Sequence, residues 1–472
     1  MTSLVDSFNG LLWAAKGSFP QHRTFRRMRE LAYGFITTWG RRTISRAICA
    51  VHHQFQDWSA FYRLFSRSPW EPNDVFQPIL EQSVAIAPET GPIAIAMDDT
   101  TVKKSSLRIP GVSYARDPMS PKFHPNLILG QRFIQAATIV RPEGLDGPAR
   151  TIPIRFQPAP PPPKPAKAAS EEELKAYRKE KKAQSLTAQG VEVIKDIRKR
   201  IDTAGFEKRT VLFAVDGGYC NKTVFRGLPD RVDILGRTRG DITLYLPPTA
   251  EQLAGKGRRR KYGDLLPKPE DIRKNDQVEW REAKIWGAGR THQLKYKLVE
   301  NVLWRSAARA RPLRLIIVAP LGYRRTPKSR KLYRKPAYLI TTDLVTPIEI
   351  LIQAYFDRWE IEVNHRDEKS MFGIGQAQVW SKQAAPRVPQ FLVALYAMLL
   401  LASLQAYGPR RTDQYQQRSA WYQKRGGRPS ITDILALFRE ELIVEGVAKT
   451  PTAPCTPGGR HASRPKAMPK AG

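Results

Sequence analysis

The chain has 472 residues and carries 78 Lys plus Arg against 44 Asp plus Glu, a formal charge of +34. An excess of that size calls for a polyanionic partner, and a paired-carboxylate glycosidase gives no reason for it. Cys49, Cys220 and Cys455 are scattered without any CxxC pairing, which excludes a disulfide framework or zinc module and fits a reducing cytoplasm.

Residues 1–88 read as a helical N-terminal DNA-binding domain. Thr43 and Asp57 are N-cap residues for two short helices joined by a tight connection. Arg41 and Arg42 belong to a dense basic set here, with Trp39, Trp58 and Trp70 available for packing. The pattern suits a helix-turn-helix-like reader or a plain helical scaffold. At Gly91 the texture changes to strands over 93–102, 127–140 and 150–156. The first is an apolar run that ends in Asp98 and Asp99.

An extended, solvated Pro-rich excursion with a charged helix follows over 157–185, and Ser170-Glu-Glu-Glu173 reads as its capping box. A second helix over 187–203 leads into another apolar strand, 209–215, which runs into Asp216. Its unbroken apolar character predicts a strand covered on both faces. Val232–Gly236 is its expected neighbour.

Residues 89–240 thus read as the first part of a mixed α/β core. Residues 241–311 form a β-rich basic insertion, and 312–408 form the second part of the core. The insertion holds Lys256, Arg258, Arg259 and Arg260, together with Trp280, Trp286 and Trp304. Strands at 312–319 and 336–343 precede a long helix opened by Pro347. The apolar run Phe391 to Leu404 is shorter than the roughly 20 residues that a membrane span needs. It reads as a buried helix, so no membrane partner is expected. A helical region over 409–448 and a disordered basic tail over 449–472 complete the chain.

The long helix carries Tyr355, Arg358, Glu362 and Lys369. At roughly 100° per residue these lie within about 60° of one stripe. Asp98 or Asp99 at one strand end, Asp216 at another and Glu362 on this helix compose an oxygen-ligand set. Magnesium, or manganese as its substitute, prefers such ligands. Two such ions can activate a water or a 3′-hydroxyl and stabilise a leaving oxygen. Strand alternation sends Asp98 and Asp99 to opposite faces, so one of the two should bind metal, and the sequence leaves the choice open.

These residues resemble the DDE transposases of bacterial insertion sequences, in the group marked by Y-x2-R-x3-E-x6-K. Tyr355, Arg358, Glu362 and Lys369 match that signature. Asp98-Asp99-Thr100-Thr101 looks like the group's first aspartate motif and Asp216-Gly-Gly-Tyr219 like its second. The resemblance covers residues 93 to 405. It implies a ribonuclease H-like core with a β-rich insertion, and cut-and-paste transposition by hydrolysis and strand transfer. Tyr355, Arg358 and Lys369 would contact DNA phosphates, Glu362 would ligand metal, and Trp286 or Trp304 would stack on a flipped base. The expected partner is double-stranded DNA, both terminal inverted repeats and target, bound by a homodimer in the nucleoid-associated cytoplasm. The alternative is a ribonuclease H-like nuclease without strand transfer.

Overall fold

The computed structural model describes residues 2–117, 120–121, 123–254, 257–287, 289–324, 326, 328–417 and 427–449. Lys256, Arg325, Cys455 and the expected tail beyond Lys449 lie outside them.

The chain opens with α1 (Leu4–Ala14), α2 (His22–Thr37), α3 (Ile44–Ala50), α4 (Ser59–Ser66), α5 (Pro72–Val75) and α6 (Gln77–Ala85). Local chemistry sets their starts. Ser3 and Asp6 close a capping box on α1, and the Thr43 hydroxyl accepts from the Arg46 amide; Asp57 is not the expected N-cap, because Trp58 takes that place before α4, and its carboxylate accepts from the Ser59 amide at 2.9 Å. Gly34 lets α2 and α3 meet, because a Cβ there would lie 2.2 Å from the Ala47 carbonyl oxygen.

The sheet begins with β1 (Ile93–Lys103), β2 (Val112–Arg116), β3 (Leu127–Val140) and β4 (Arg150–Pro158). Helices α7 (Glu171–Ala183) and α8 (Leu186–Ile201) follow, then β5 (Val211–Val215), α9 (Lys222–Gly227) and β6 (Val232–Thr238). Helix α7 has the expected Ser170–Glu173 capping box and buries no residue. The chain continues through α10 (Ala250–Ala254), α11 (Pro269–Lys274), β7 (Arg281–Gly287), β8 (Arg290–Leu303) and β9 (Pro312–Val318). A small ribbon of β10 (Gly322–Tyr323) and β11 (Leu332–Tyr333) precedes β12 (Ala337–Thr341). The last helices are α12 (Ile348–Asp357), α13 (Glu360–Ser370), α14 (Ala384–Tyr407) and α15 (Ile431–Lys449).

Among the described residues the main sheet has ten strands in the order β2-β3-β1-β5-β6-β12-β9-β8-β7, with β4 on β3. β1 runs antiparallel to β3 and parallel to β5, which is parallel to β6. The remaining pairs along this path are antiparallel. This is the mixed α/β, ribonuclease H-like core that the sequence calls for. The strands of the 241–311 region do not stand apart from it: β8 pairs with β9, so β7 and β8 extend the same sheet.

Two helices differ from expectation. The stripe-bearing helix is not continuous. At Arg358 and Trp359 the bonding tightens, with Trp359 N–H donating to Phe356 O and Ile361 N–H to Arg358 O, i→i−3 contacts that separate α12 from α13. Helix α14 is also longer than its apolar run, 24 residues with Pro389 inside. It is long and apolar enough to cross a membrane, yet 94% of its apolar window is buried within the protein. Phe391 on this helix meets Phe35 and Trp70 edge-on, so the N-terminal helices and the sheet share one hydrophobic core.

Candidate active site

Strand register brings the first two acids together. Ala96 pairs with Ala214 and Met97 with Val215 on the parallel strands β1 and β5. Continuing that register, Asp216, just past the end of β5, comes beside Asp98, which lies midway along β1 and not at the strand end that the sequence suggests, because β1 runs on against β3 to Lys103. Ala96 and Ala214 pack with Ile361 of α13, so this face looks onto the helix that carries Glu362. Arg358 joins two of the acids: its guanidinium lies 3.2 Å from Asp98 Oδ2 and 3.3 Å from Glu362 Oε1, and it stands over the Tyr355 ring at 5.8 Å. Asp216 is exposed; its carbonyl accepts from the Tyr219 amide at 3.0 Å, and among the described residues its carboxylate makes no hydrogen bond or ion pair.

The electrostatics show three acids crowded around one cation. Burial pushes Asp98 up to about 6, against the pull of Arg358, with Asp99 and Asp216 adding repulsion. Burial also raises Glu362, with Arg358 opposing and Asp216 assisting. Tyr355 is raised by burial, and Asp216 is among the charges that it senses. Lys369 is lowered by desolvation, with Glu368 and Asp99 opposing.

Asp99 alternates to the other face of β1 from Asp98, where its carboxylate pairs with Arg132 Nε of β3 at 2.8 Å, and both residues line the same cleft as Asp98 and Glu362. Tyr219 is also directed to this side. It packs against Gly190 of α8, whose Cβ would lie 2.8 Å from the ring. Its buried hydroxyl has no partner among the described residues.

A cleft of about 1730 Å3 opens beside these groups; Asp98, Asp99 and Glu362 line it, and Asp216 does not. Lys369 and Arg41 share its wall, as do Lys103, Lys104, Arg116, Arg132, Arg366 and Trp380. Thus Arg41, from the N-terminal helical region, reaches the same cleft as the acids. Lys103 and Lys104 follow the first acidic pair in the chain and were visible there. Arg366 lies on α13 one turn beyond Glu362 and was visible there as well; Arg132 and Trp380 gave no signal, because only the fold brings β3 and the segment after α13 to this place.

The other expected DNA contacts divide. Arg258, Arg259 and Arg260 are exposed and do not line the cleft. Arg42 is a structural residue, 7% exposed. Its Nε donates to Phe35 O at 3.0 Å, another nitrogen donates to Met371 O, and its amide donates to Gln376 Oε1. It ties α2 to the segment after α13 and is not free for phosphates. Trp304 is buried and meets Phe225 edge-on at 5.5 Å, so its ring serves packing. Trp286 is half-buried, and its backbone is held at both ends by Gln353, which accepts from its N–H and donates to its carbonyl.

That Gln353 also donates to Asp357, which is clamped by two bonds from Arg141 at 3.0 and 3.1 Å. Burial still raises Asp357 to about 6. On α13, Glu368 is fully buried, accepts from Gln135 Nε2 at 2.9 Å and is pushed up to about 8 by burial. Gln135 stands opposite Asp98 in the β1–β3 register. The sheet beside Asp98 is therefore bolted to the helix that bears Glu362.

Three carboxylates from three elements form an all-oxygen donor set of the kind a hard divalent cation accepts. Asp98 and Glu362 already share a positive charge, the Arg358 guanidinium. In the rotamers present no group of three acidic, His or Cys side chains is gathered as a cage among the described residues. The donors fit such an ion, and side-chain rotation has to bring them together.

A mixed sheet that brings aspartates of two parallel strands toward a helical glutamate beside a basic cleft is an arrangement suited to chemistry on phosphodiesters. A family model described as DDE superfamily endonuclease matches residues 16–311, and the chain belongs to that superfamily. The match includes both aspartate motifs and ends before Tyr355. Superfamily members generally use divalent metal ions, and the family implies a DNA substrate. A search among curated proteins finds no match for the chain.

Proposed function

We propose that the chain is a DNA transposase that cuts an insertion sequence free at its terminal inverted repeats and joins it to target DNA. The observation that carries this reading is that Arg358 bridges Asp98 and Glu362 beside a cleft walled by cations, with Asp216 near enough to repel both carboxylates. Asp98, Asp216 and Glu362 would hold magnesium, with manganese as a substitute and two ions as the full complement. When bound, the ions supply activation of a water or 3′-hydroxyl and charge neutralisation at the scissile phosphate.

The chain's own groups supply the rest. Lys369, Arg366 and Arg41 neutralise backbone phosphates and fix the strand's register, as contacts to phosphate do without reading sequence. Arg358, relieved of Asp98 when the carboxylate turns to metal, presents its planar fork to phosphate oxygens, and Tyr355 buttresses it. The Gln135–Glu368 and Gln353–Asp357 ties hold the backbones of α12 and α13, so that only side-chain rotation is needed for Glu362 to meet Asp98 and Asp216. The full assembly is proposed as a homodimer on DNA, one metal pocket for each end of the element.

The test is product analysis on DNA bearing the inverted repeats that flank the reading frame. Joined strands, lost in Glu362→Gln, support transposition. Hydrolysed ends alone assign the chain as a nuclease, and cleavage by Glu362→Gln at the wild-type rate overturns the site.

A further inference from the structure

Helix α7 has 13 residues and buries none of them. Lys175, Arg178, Lys179 and Lys182 are all exposed and, at roughly 100° per residue, fall within about 100° of one face. Each has others of the set three or four residues away, where like charges repel and weaken a helix. A face kept only for solubility would interleave acids. Here Glu171, Glu172 and Glu173 are gathered in the first turn, and Glu180 stands roughly 150° round from the centre of the stripe. Among the described residues none of the four cations forms an ion pair. Glu180 instead accepts from Gln184 Nε2 at 2.9 Å, and Lys181, off the stripe, turns to the Tyr177 ring at 5.8 Å.

The fold hangs this helix beside the cleft. The Pro-rich run before it is a semi-rigid spacer that leaves the sheet at Ala159, a buried residue whose N–H donates to Arg132 O at 2.8 Å. Pro160 then lies beside Gly111, where a Cβ would stand 3.9 Å from Pro160 Cβ. Arg132 and nearby Ile109 line the cleft that holds Asp98 and Glu362. After α7, the Ser185 hydroxyl caps α8, and Gly190 packs the chain back onto Tyr219, just past Asp216. Both roots of the cationic helix are thus packed on the sheet next to the acids.

Over the stripe the helix rises about 10 Å, and a duplex presents a phosphate about every 3.4 Å along each strand, so the cations span about three successive phosphates. A duplex holds its phosphates at that fixed pitch, which suits a helix already capped. We infer that α7 is an arm that grips the phosphate backbone of duplex DNA where the duplex runs past the catalytic cleft. This rests on the reading of the cleft as a DNA site. The contact reads no sequence; it holds the duplex against sliding while the acids act.

The test compares the full-length protein with two variants on a fluorescent duplex several helical turns long. One carries Lys175→Gln, Arg178→Gln, Lys179→Gln and Lys182→Gln; the other carries Lys175→Arg, Lys179→Arg and Lys182→Arg. Glutamine and arginine both keep helix propensity and α7 buries nothing, so both variants should unfold at the wild-type urea midpoint. At about 0.1 M salt the glutamine variant should bind at least about tenfold more weakly, and its plot of log affinity against log salt should flatten by about 0.9 for each of about three contacts. The arginine variant should bind as wild type does. In wild type the duplex should also slow hydrogen exchange of the α7 amides, because docking closes a helix that otherwise opens locally. Equal slopes for wild type and the glutamine variant overturn the inference and leave the DNA reading intact; a change of oligomeric state in that variant would then assign the stripe to a second copy of the chain. A flatter slope with unchanged α7 exchange also overturns it, since the general field of the protein then accounts for the loss. A wild-type protein that binds no duplex overturns both.

Discussion

Strand alternation alone tells that Asp98 and Asp99 face opposite ways; only the neighbouring elements tell which face holds the chemistry. The sequence carried the acids and their order but not this choice. Our proposal of Asp98 rests on Arg358, which ties it to Glu362, and on Arg132, which engages Asp99, residues more than 200 and some 30 positions away in the chain. We predict that Asp98→Asn lowers DNA cleavage at least about 100-fold, more than the loss usual for outer-shell partners of a metal, while Asp99→Asn keeps most of it. Cleavage rates at saturating magnesium check this, and the reverse order would transfer the site to the Arg132 face. Arg42 and Trp304 illustrate the opposite error. Composition marks every arginine in a basic stretch and every tryptophan in a basic insertion as a nucleic-acid contact, and only packing reveals those already engaged inside the protein.

At the level of elements, the continuous apolar runs of β1 and β5 and the acids that follow those runs were legible because both faces of such strands are covered. The split of α12 from α13 was not. Arg358 and Trp359 both keep helical dihedrals, so the side-chain periodicity hardly registers the tightened turn. Buried ties were equally silent, since a glutamate among charged neighbours reads as solvated.

Glu368 has a measurable consequence. Its pKa of about 8 in the folded protein stands above the unfolded value of 4.5, so the folded state binds more protons between those limits and stability falls as pH rises through them. His365, lowered to about 3 by burial, acts oppositely, but only below its ordinary value of about 6.5. Between pH 6.5 and 8 the Glu368 effect therefore stands clear, at up to about 1.4 kcal/mol per pH unit. Urea unfolding should show that decline in wild type, and Glu368→Gln should flatten it. A decline that persists in the variant would place its origin elsewhere.

The tie between α12 and β7 gives a second expectation. Gln353→Ala leaves the Trp286 N–H and carbonyl and one Asp357 bond unsatisfied. It should cost about 1–3 kcal/mol per buried group left unmatched, read as a lower urea midpoint. An unchanged midpoint would mean that water replaces the amide.

For the whole molecule, the charge of +34 predicts DNA affinity governed by phosphate neutralisation and hence steeply dependent on salt. Replacing Lys256, Arg258, Arg259 and Arg260 with alanine should flatten the plot of log affinity against log salt by up to about 0.9 per lost contact. An unchanged slope would make that run a solvated loop. Concerted action at two ends makes a further prediction: tagged wild type mixed with excess Asp216→Asn should lose paired-end cleavage through mixed complexes. An undiminished rate at saturating DNA would rule out the dimer.

The central claim is that Asp98, Asp216 and Glu362, from three separate elements, form one divalent-cation site. Calorimetric titration of manganese into the DNA-bound protein tests it most directly. Binding should be saturable in wild type and in Asp99→Asn, and should be lost or weakened at least about tenfold in each of Asp98→Asn, Asp216→Asn and Glu362→Gln. Equal manganese affinity in wild type and those three variants would contradict the account.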